Sequence, residues 1–161
     1  MDGTVMLIEL PYKYPGKIFR SPMPFSQFDR QNVWPTIQAE GVDLAVILTE
    51  KQEYLVYARK DLPDFYRAEG LDVKHIPVPD FGIPDNRDSW QEGLDLVKEA
   101  ALSGKKIVVH CLAGIGRTGT FLACLAKENL DLSGEEAIRW VRESIPGAME
   151  NSYQEDFVIN Y

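Results

Sequence analysis

A short stretch near residue 110 constrains this chain more than any other. Residues 106–110 form an apolar, β-branched run of the kind that makes a buried strand. From Thr120 onward, apolar side chains recur at helical spacing. The connecting residues, 111–117, begin with Cys111, end with Arg117 and include two glycines. The pattern predicts a strand, a loop and a helix, with Cys111 at the point where the strand ends.

The connecting loop has the composition of an anion-binding site. Gly114 and Gly116 let the backbone curl so that several N–H groups point inward. The following helix adds the positive end of its dipole, and Arg117 contributes a planar fork that matches a phosphoryl group. The same positive field favours the thiolate form of Cys111. We therefore call residues 111–117 the anion loop and expect it to hold a nucleophile and a phosphoryl group together.

The spacing His-Cys-x-x-Gly-x-x-Arg-Thr, residues 110–118, resembles the signature of the cysteine-dependent protein phosphatases, the tyrosine-specific and dual-specificity enzymes. The resemblance implies that Cys111 is the nucleophile and that Thr118 donates its hydroxyl to the sulfur. It also implies that His110 fixes the loop backbone and tunes the thiol. Phosphoryl oxygens would be bound by Arg117 and by the backbone amides of Leu112, Ala113, Gly114, Ile115 and Gly116.

Two other interpretations of this stretch are open. Cys111 could be a buried structural cysteine before a glycine-rich turn, since free cysteines are among the most buried residues. Residues 114–119 also read Gly-x-Gly-x-x-Gly, the dinucleotide-binding fingerprint. That fold needs an acidic residue about 20 positions on, at the end of a second strand. Here residues 133–136, Ser-Gly-Glu-Glu, form a capping box that opens a helix instead, which disfavours a dinucleotide site.

A second loop, residues 78–85, reads Val-Pro-Asp-Phe-Gly-Ile-Pro-Asp. It resembles the mobile acid loop of tyrosine phosphatases, usually Trp-Pro-Asp-Phe-Gly-x-Pro, with Val78 in place of the Trp. We call it the acid loop. The resemblance implies that Asp80 protonates the leaving oxygen, a contribution of about 10²–10⁴-fold. Asp85 and Asp88 remain alternative proton donors. Asp80 could also have a purely structural role, as an aspartate that forms a turn or caps a helix.

Two further site residues follow from the same resemblance. Glu50, just after the strand over residues 42–48, matches in position the glutamate that orients the signature arginine, although a solvated loop charge is the structural alternative. Residues 146–154 resemble the segment that brings glutamine side chains toward the phosphate, with Glu150 at the first such position and Gln154 at the second. Because an amide both donates and accepts hydrogen bonds, we expect Gln154 to position the hydrolytic water.

The whole chain is predicted to be one α/β domain, residues 1–161, with a mostly parallel sheet flanked by helices on both faces, like the phosphotyrosine phosphatases. The anion loop would lie at the carboxyl edge of the strands, where open sheets bind ligands. Helices are expected from Pro35 to Glu40, over 52–60, over 63–69, from a cap at Asp88-Ser89 to about Leu102, after the anion loop, after Ser133 and from Asn151 or Ser152. The predicted strands are 4–10, 17–20, 42–48, 72–78 and 106–110.

Composition excludes several partners. The net charge is −8, so we expect no nucleic acid and no anionic membrane in bulk. The apolar run at residues 5–8 is too short for a signal peptide, which indicates a cytoplasmic protein.

The chain has two cysteines, Cys111 and Cys124, which are too few for a disulfide scaffold. Cys124 is expected to be an inert core residue. No metal-ligand cluster is visible, so no metal or other cofactor is expected, and we expect a monomer.

The expected reaction is hydrolysis of a phosphate monoester through a phosphocysteine intermediate. Phosphotyrosine in proteins is the favoured substrate, since Leu112, Ala113 and Ile115 add no charge to the loop, whereas relatives acting on inositol lipids often carry lysines there. Phosphate and vanadate are the expected ligands. A dual-specificity phosphatase is the near alternative, and a phosphotyrosine-binding module without turnover is the alternative of a different class.

Overall fold

The computed structural model describes residues 6–161, and these residues form a five-stranded sheet. The first predicted strand, residues 4–10, lies partly outside the described residues. All five predicted strands have a counterpart, and the structure gives each the following bounds: β1 Ile8–Leu10, β2 Lys17–Ser21, β3 Leu44–Ile47, β4 Asp72–His75 and β5 Lys106–His110.

The strand order is β1-β2-β5-β3-β4, and β1 alone runs antiparallel to its neighbour. The last residues of the four parallel strands are paired in one row, because Ser21 and Ile47 both lie opposite His110 while His75 lies opposite Ile47. The chain segments that leave these strands therefore start from the same edge of the sheet. Cys111 leaves the central strand, between the ends of β2 and β3.

The helices fall close to their predicted positions: α1 Trp34–Glu40, α2 Lys51–Glu53 with a π-helical turn over Tyr54–Ala58, α3 Leu62–Ala68, α4 Arg87–Leu102, α5 Gly116–Asn129, α6 Gly134–Ser144 and α7 Ser152–Asn160. The predicted capping box of α6 is confirmed, since Ser133 Oγ accepts from the Glu136 N–H at 3.1 Å. The predicted Asp88-Ser89 cap of α4 is wrong. Asn86 caps that helix by accepting from the Ser89 N–H at 3.0 Å.

Two apolar clusters lie on opposite faces of the sheet. Alternate residues of β5 point to opposite sides, so Ile107 and Val109 join the cluster under α4 to α7 while Val108 joins the cluster under α1 and α3. The predicted α/β architecture, with helices on both faces, is confirmed. Within residues 120–161 the chain forms α5, α6 and α7 and no strand. The second strand that a dinucleotide-binding fold requires is therefore missing from that range, which argues against the Gly-x-Gly-x-x-Gly interpretation.

Candidate active site

Arg20, at the end of β2, holds the backbone of the anion loop through hydrogen bonds to its carbonyl groups. Its Nη2 donates to the carbonyl oxygens of Ala113 at 2.8 Å and Gly114 at 3.0 Å, and its Nε donates to Gly114 at 3.2 Å. Gly114 has φ +78°, and a Cβ there would lie 2.2 Å from Arg20 Nη2 and 2.3 Å from Ser21 O. Position 114 therefore requires glycine for both its backbone conformation and its close contact. The sequence analysis did not predict this contact.

The two preceding carbonyl groups of the loop are bonded outward as well. His110 Nδ1 donates to Cys111 O at 3.0 Å, and the Met23 N–H donates to Leu112 O at 2.9 Å. In a trans peptide the N–H points away from the carbonyl of the preceding residue. With four successive carbonyls turned outward, the N–H groups of residues 112–115 point to the other side of the loop. Four converging amides beside a helix N-terminus form a site for an anion.

His110 is held as the neutral imidazole. Since Nδ1 donates to the Cys111 carbonyl, Nε2 accepts the hydrogen bond from the Tyr66 hydroxyl at 2.8 Å. Burial lowers the pKa of His110 to about 4, and the nearby positive charges of Arg20 and Arg117 act in the same direction. The ring lies next to the loop backbone, as predicted. Its partner Tyr66 was not predicted, because the two residues are far apart in sequence.

Arg117, in the first turn of α5, is buried and has three protein partners. Its two terminal nitrogens bind the two oxygens of Glu53, both at 2.8 Å. Nη1 also donates to Val78 O at 2.9 Å, and Nη2 to Asp80 Oδ1 at 3.0 Å. Burial opposes the charge of Arg117, but the hydrogen bonds with Glu53 and the surrounding negative charges outweigh burial and raise its pKa. The guanidinium is therefore fixed as a cation at the mouth of the anion loop.

The prediction that Glu50 orients Arg117 is wrong, since Glu53 makes that contact. Glu50 is the N-cap of α2: its side chain accepts from the backbone of Glu53, while Glu53 Oε2 accepts from the Glu50 N–H at 2.8 Å. This reciprocal capping box uses the Glu50 carboxylate locally and brings Glu53, three residues on, to the arginine. The Glu-x-x-Glu spacing at the strand end is the sequence signal that was missed.

Asp80 lies where the sequence predicted an acid. Its side chain is 48% exposed and reaches Arg117 across the mouth of the anion loop. Neither alternative donor is among the partners that the structure gives Arg117. Asp85 is exposed, and Asp88 lines a separate cavity with Arg87 and other polar residues of α4 and α5.

Thr118 is fully buried, and its Oγ1 has no hydrogen-bond partner within residues 6–161. The predicted hydrogen bond to the Cys111 sulfur is therefore not formed in this structure.

The two cysteines are both free thiols, and Cys111 is 3% exposed. Burial raises the pKa of Cys124 to about 12, so the second cysteine stays a neutral core residue, as its position in α5 predicted.

Gln154 lies at the border of the anion loop, since a Cβ on Gly116 would lie 3.1 Å from its Oε1. The side chain is fully buried, with Nε2 donating to Gly82 O at 3.1 Å and Oε1 accepting from the Glu150 N–H at 2.8 Å. Each end of the amide has one backbone partner and can make one further hydrogen bond, so the water-positioning role stays a prediction. The carboxylate that borders the anion loop is that of Glu150: a Cβ on Gly116 would lie 2.1 Å from its Oε1. Burial, and then the charge of Asp80, raise the pKa of Glu150.

The remaining predicted binding residues lie in the loop itself. Leu112, Ala113 and Ile115 are partly exposed, while Gly114 and Gly116 are buried. The described part of the chain includes no group of three or more His, Cys, Asp or Glu side chains arranged to hold a metal ion. No helix within residues 6–161 has the length and apolar character needed to span a membrane.

Comparison with known families gives a match over residues 26–129, to the family described as "Polymorphic toxin system, DSP-PTPase phosphatase". The matched range is more than half of the chain. It includes the acid loop, the anion loop and Glu53, so it covers the three residues to which the structure hydrogen-bonds the Arg117 guanidinium.

One solved structure agrees with this match, and further relatives share the fold or part of the sequence. The structure of Tk-PTP in its active form is 32% identical, with a TM-score of 0.73 over 90% of each chain. A kinase-associated phosphatase whose catalytic-site cysteine is replaced by serine gives a TM-score of 0.81 over 94% of this chain and 90% of its own; at 22% identity it supports the fold alone. An uncharacterized protein of Methanocaldococcus jannaschii is 39% identical over 88 residues, 54% of this chain. The chain spans 57% and 50% of the length of the first curated relatives it matches.

Proposed function

Because this chain belongs to the DSP-PTPase family of protein tyrosine and dual-specificity phosphatases, we propose that it hydrolyses phosphotyrosine in proteins through a phosphocysteine intermediate. One observation carries the proposal. Four outward-bonded carbonyls turn four N–H groups to the inner side of a loop that starts with Cys111 and ends with the buried, ion-paired Arg117. The same loop then provides both the thiolate nucleophile and the phosphate-binding site.

In the first proposed step, Cys111 Sγ attacks phosphorus while the bond from phosphorus to the ester oxygen breaks. Asp80 gives its proton to that oxygen as it leaves. The loop amides and Arg117 stabilise the charge on the three equatorial oxygens. In the second step water attacks phosphorus, the S–P bond breaks, and Asp80 takes the proton from the water. Cys111 returns as thiolate and inorganic phosphate leaves.

Arg117 constrains how the substrate enters. A guanidinium has five N–H donors, and the four on the terminal nitrogens are used by Glu53, Val78 O and Asp80. A phosphoryl group can therefore be bound by two parallel donors only if Asp80 releases Nη2, which then acts beside Nε–H. Asp80 thus occupies a phosphate position before substrate binds, and it becomes free to protonate the leaving oxygen when substrate arrives.

The uncharged loop side chains favour a protein substrate. Leu112, Ala113 and Ile115 offer no cation to a polyphosphorylated headgroup. A dual-specificity enzyme is the second candidate, supported by the family description, which names the dual-specificity class together with tyrosine phosphatases.

The test is turnover of matched peptides carrying phosphotyrosine, phosphoserine or phosphothreonine, together with a phosphoinositide, with Cys111→Ser as the blank. We expect phosphotyrosine to give the highest kcat/KM. Comparable rates on all three peptides would assign dual specificity instead. Binding of the phosphotyrosine peptide without turnover of any substrate would identify a binding module and contradict the proposal.

A further inference from the structure

The tip of the acid loop, residues 79–83, has little apolar packing, although Val78 and Pro84 at its two ends are buried. Phe81 is 58% exposed, Ile83 is 37% exposed, and Phe81 has φ +60°, a conformation that non-glycine residues rarely adopt. Inside the loop, the Gly82 N–H donates to Pro79 O at 2.9 Å, which closes one turn. The two buried ends limit where the turn can lie, and between them its place relative to the anion loop depends on polar contacts with other elements.

Two side-chain amides from the start of α7 supply such contacts. Asn151 Nδ2 donates to Phe81 O at 2.7 Å, and Gln154 Nε2 donates to Gly82 O at 3.1 Å. These are the two carbonyl groups that directly follow Asp80. Each bond crosses about half of the chain in sequence, since the partners are 70 and 72 positions apart.

The two amides are themselves held in place. Asn151 caps α7 with Oδ1, which accepts from the Gln154 N–H at 3.0 Å, and Gln154 Oε1 accepts from the Glu150 N–H at 2.8 Å. The preceding residue, Met149, donates its N–H to Ile115 O at 3.3 Å, which connects the same segment to the anion loop. One segment therefore binds both functional loops.

We propose that Asn151 and Gln154 are positioning residues that hold the acid loop where Asp80 reaches Arg117 and the leaving oxygen. The inference rests on the proposed phosphatase function and adds two residues to it. The pair acts through Asp80, since its side-chain N–H groups donate to the two carbonyls that follow Asp80. Loss of one of the two hydrogen bonds is expected to reduce the population of correctly placed Asp80 by about 5–10-fold.

The first test is Asn151→Ser. Serine is also a good N-cap, so α7 keeps its cap while the donor to Phe81 O is lost. With aryl phosphates of graded leaving-group pKa, kcat should fall about 5–10-fold for the most basic leaving groups and little for those that leave without a proton. The matched control is Asn129→Ser, since Asn129 Nδ2 also donates to a backbone carbonyl, that of Leu125 at 2.9 Å, at the end of α5. An equal loss for all leaving groups would contradict the proposal.

The second test repeats Asn151→Ser in the Asp80→Asn variant. If the Asn151 side chain acts through Asp80, Asn151→Ser should change kcat less than twofold in the Asp80→Asn background, because the effects of the two substitutions are then not independent. A further 5–10-fold loss in that background would show that Asn151 acts by another route. That result would overturn the proposal.

Hydrogen–deuterium exchange of residues 78–85 gives a readout that needs no turnover. Exchange of this segment should be about 5–10-fold faster in Asn151→Ser than in Asn129→Ser, since the bond to Phe81 O limits opening. Unchanged exchange would show that the contact does not hold the loop. If exchange is faster in Asn151→Ser but the unmodified protein hydrolyses no phosphate ester, the contact holds the loop without a catalytic role. In that case the proposed function has failed, and the proposal that Asn151 positions Asp80 for catalysis is overturned with it.

Discussion

Glu53 and Glu50 lie one helical turn apart and have separate roles, so they form a matched pair for mutation. Glu53→Gln keeps the size of the side chain but removes the charge that pairs with Arg117 in a nearly buried contact. Loss of one partner from a buried ion pair costs about 3–5 kcal/mol. Because Val78 O and Asp80 remain as partners, we expect the free energy of unfolding to fall by about 1–3 kcal/mol.

The same substitution should lower kcat/KM about 10–100-fold, because the guanidinium loses its fixed orientation toward the phosphoryl group. Glu50→Gln should change kcat/KM less than about twofold, since an exposed N-cap side chain contributes only about 1 kcal/mol of helix stability. Urea unfolding and steady-state kinetics on both variants measure these effects. The reverse ranking would restore Glu50 as the residue that orients Arg117.

His110 gives the fold a pH dependence of known sign. In the unfolded chain histidine binds a proton below about 6.5. In the folded protein burial keeps His110 neutral down to about 4. The unfolded state therefore binds more protons between these values, and stability should fall as pH is lowered through this window, by about 3 kcal/mol at most.

Urea unfolding between pH 7 and pH 4.5 tests this, with the His110→Asn variant against His75→Gln. The chain has two histidines, so these variants separate the two contributions. His110→Asn should be less stable at pH 7 but should lose less stability on acidification than the unmodified protein. His75→Gln should retain the His110-dependent loss. An equally steep loss in His110→Asn would assign the effect to carboxylates instead.

At the scale of elements, the acid loop occupies part of the phosphate site through Asp80. Asp80→Ala should lower kcat by about 10²–10⁴-fold and should flatten the high-pH limb of the rate profile, where the acid loses its proton. The same variant should bind vanadate more tightly, because Nη2 of Arg117 no longer has to be released and a like charge is removed.

Asp85→Ala is the control, since Asp85 belongs to the same loop and is exposed. Both the kinetic loss and the tighter vanadate binding should be absent from it. Weaker vanadate binding to Asp80→Ala would contradict the idea that Asp80 holds a phosphate position before substrate binds.

The sequence predicted those elements that are specified by patterns of adjacent residues. The anion loop has fixed residue types at fixed spacing between a strand and a helix, and α6 begins with a complete capping box, so each could be placed from adjacent residues. Arg20 was different. Its contacts with Ala113 and Gly114 depend on β2 lying beside β5, a pairing of strands far apart in the chain that leaves no local pattern.

The contacts at the site that were not predicted have a similar origin. Glu53, three residues after Glu50, reaches Arg117 from the capping box of α2, and the Gln154 amide binds the backbone of Gly82, 72 positions away, and of Glu150. Resemblance in position could locate the right segment in each case. Which side chain of that segment faces the phosphate depends on hydrogen bonds that form only in the folded molecule.

The molecule as a whole is negatively charged, although its proposed substrate is an anion. It has 25 acidic and 17 basic residues, and at the site Arg117 is already paired with two carboxylates while Glu150 borders the anion loop. Attraction of the phosphoryl group must therefore come from short-range contacts with the loop amides and Arg117. The long-range field of the protein opposes the approach of a dianion.

Salt should consequently accelerate capture of a small phosphate ester. Raising NaCl from 10 to 150 mM shortens the screening distance from about 30 Å to about 8 Å, which removes long-range repulsion but leaves contacts inside the loop nearly intact. We expect kcat/KM for an aryl phosphate to rise about 2–5-fold, with kcat unchanged. Matched phosphotyrosine peptides refine the test: flanking glutamates should increase the rise, and flanking lysines should reverse it. A fall in kcat/KM with salt for the small ester would show that the positive field of the anion loop extends into solution and exceeds the net charge of the molecule.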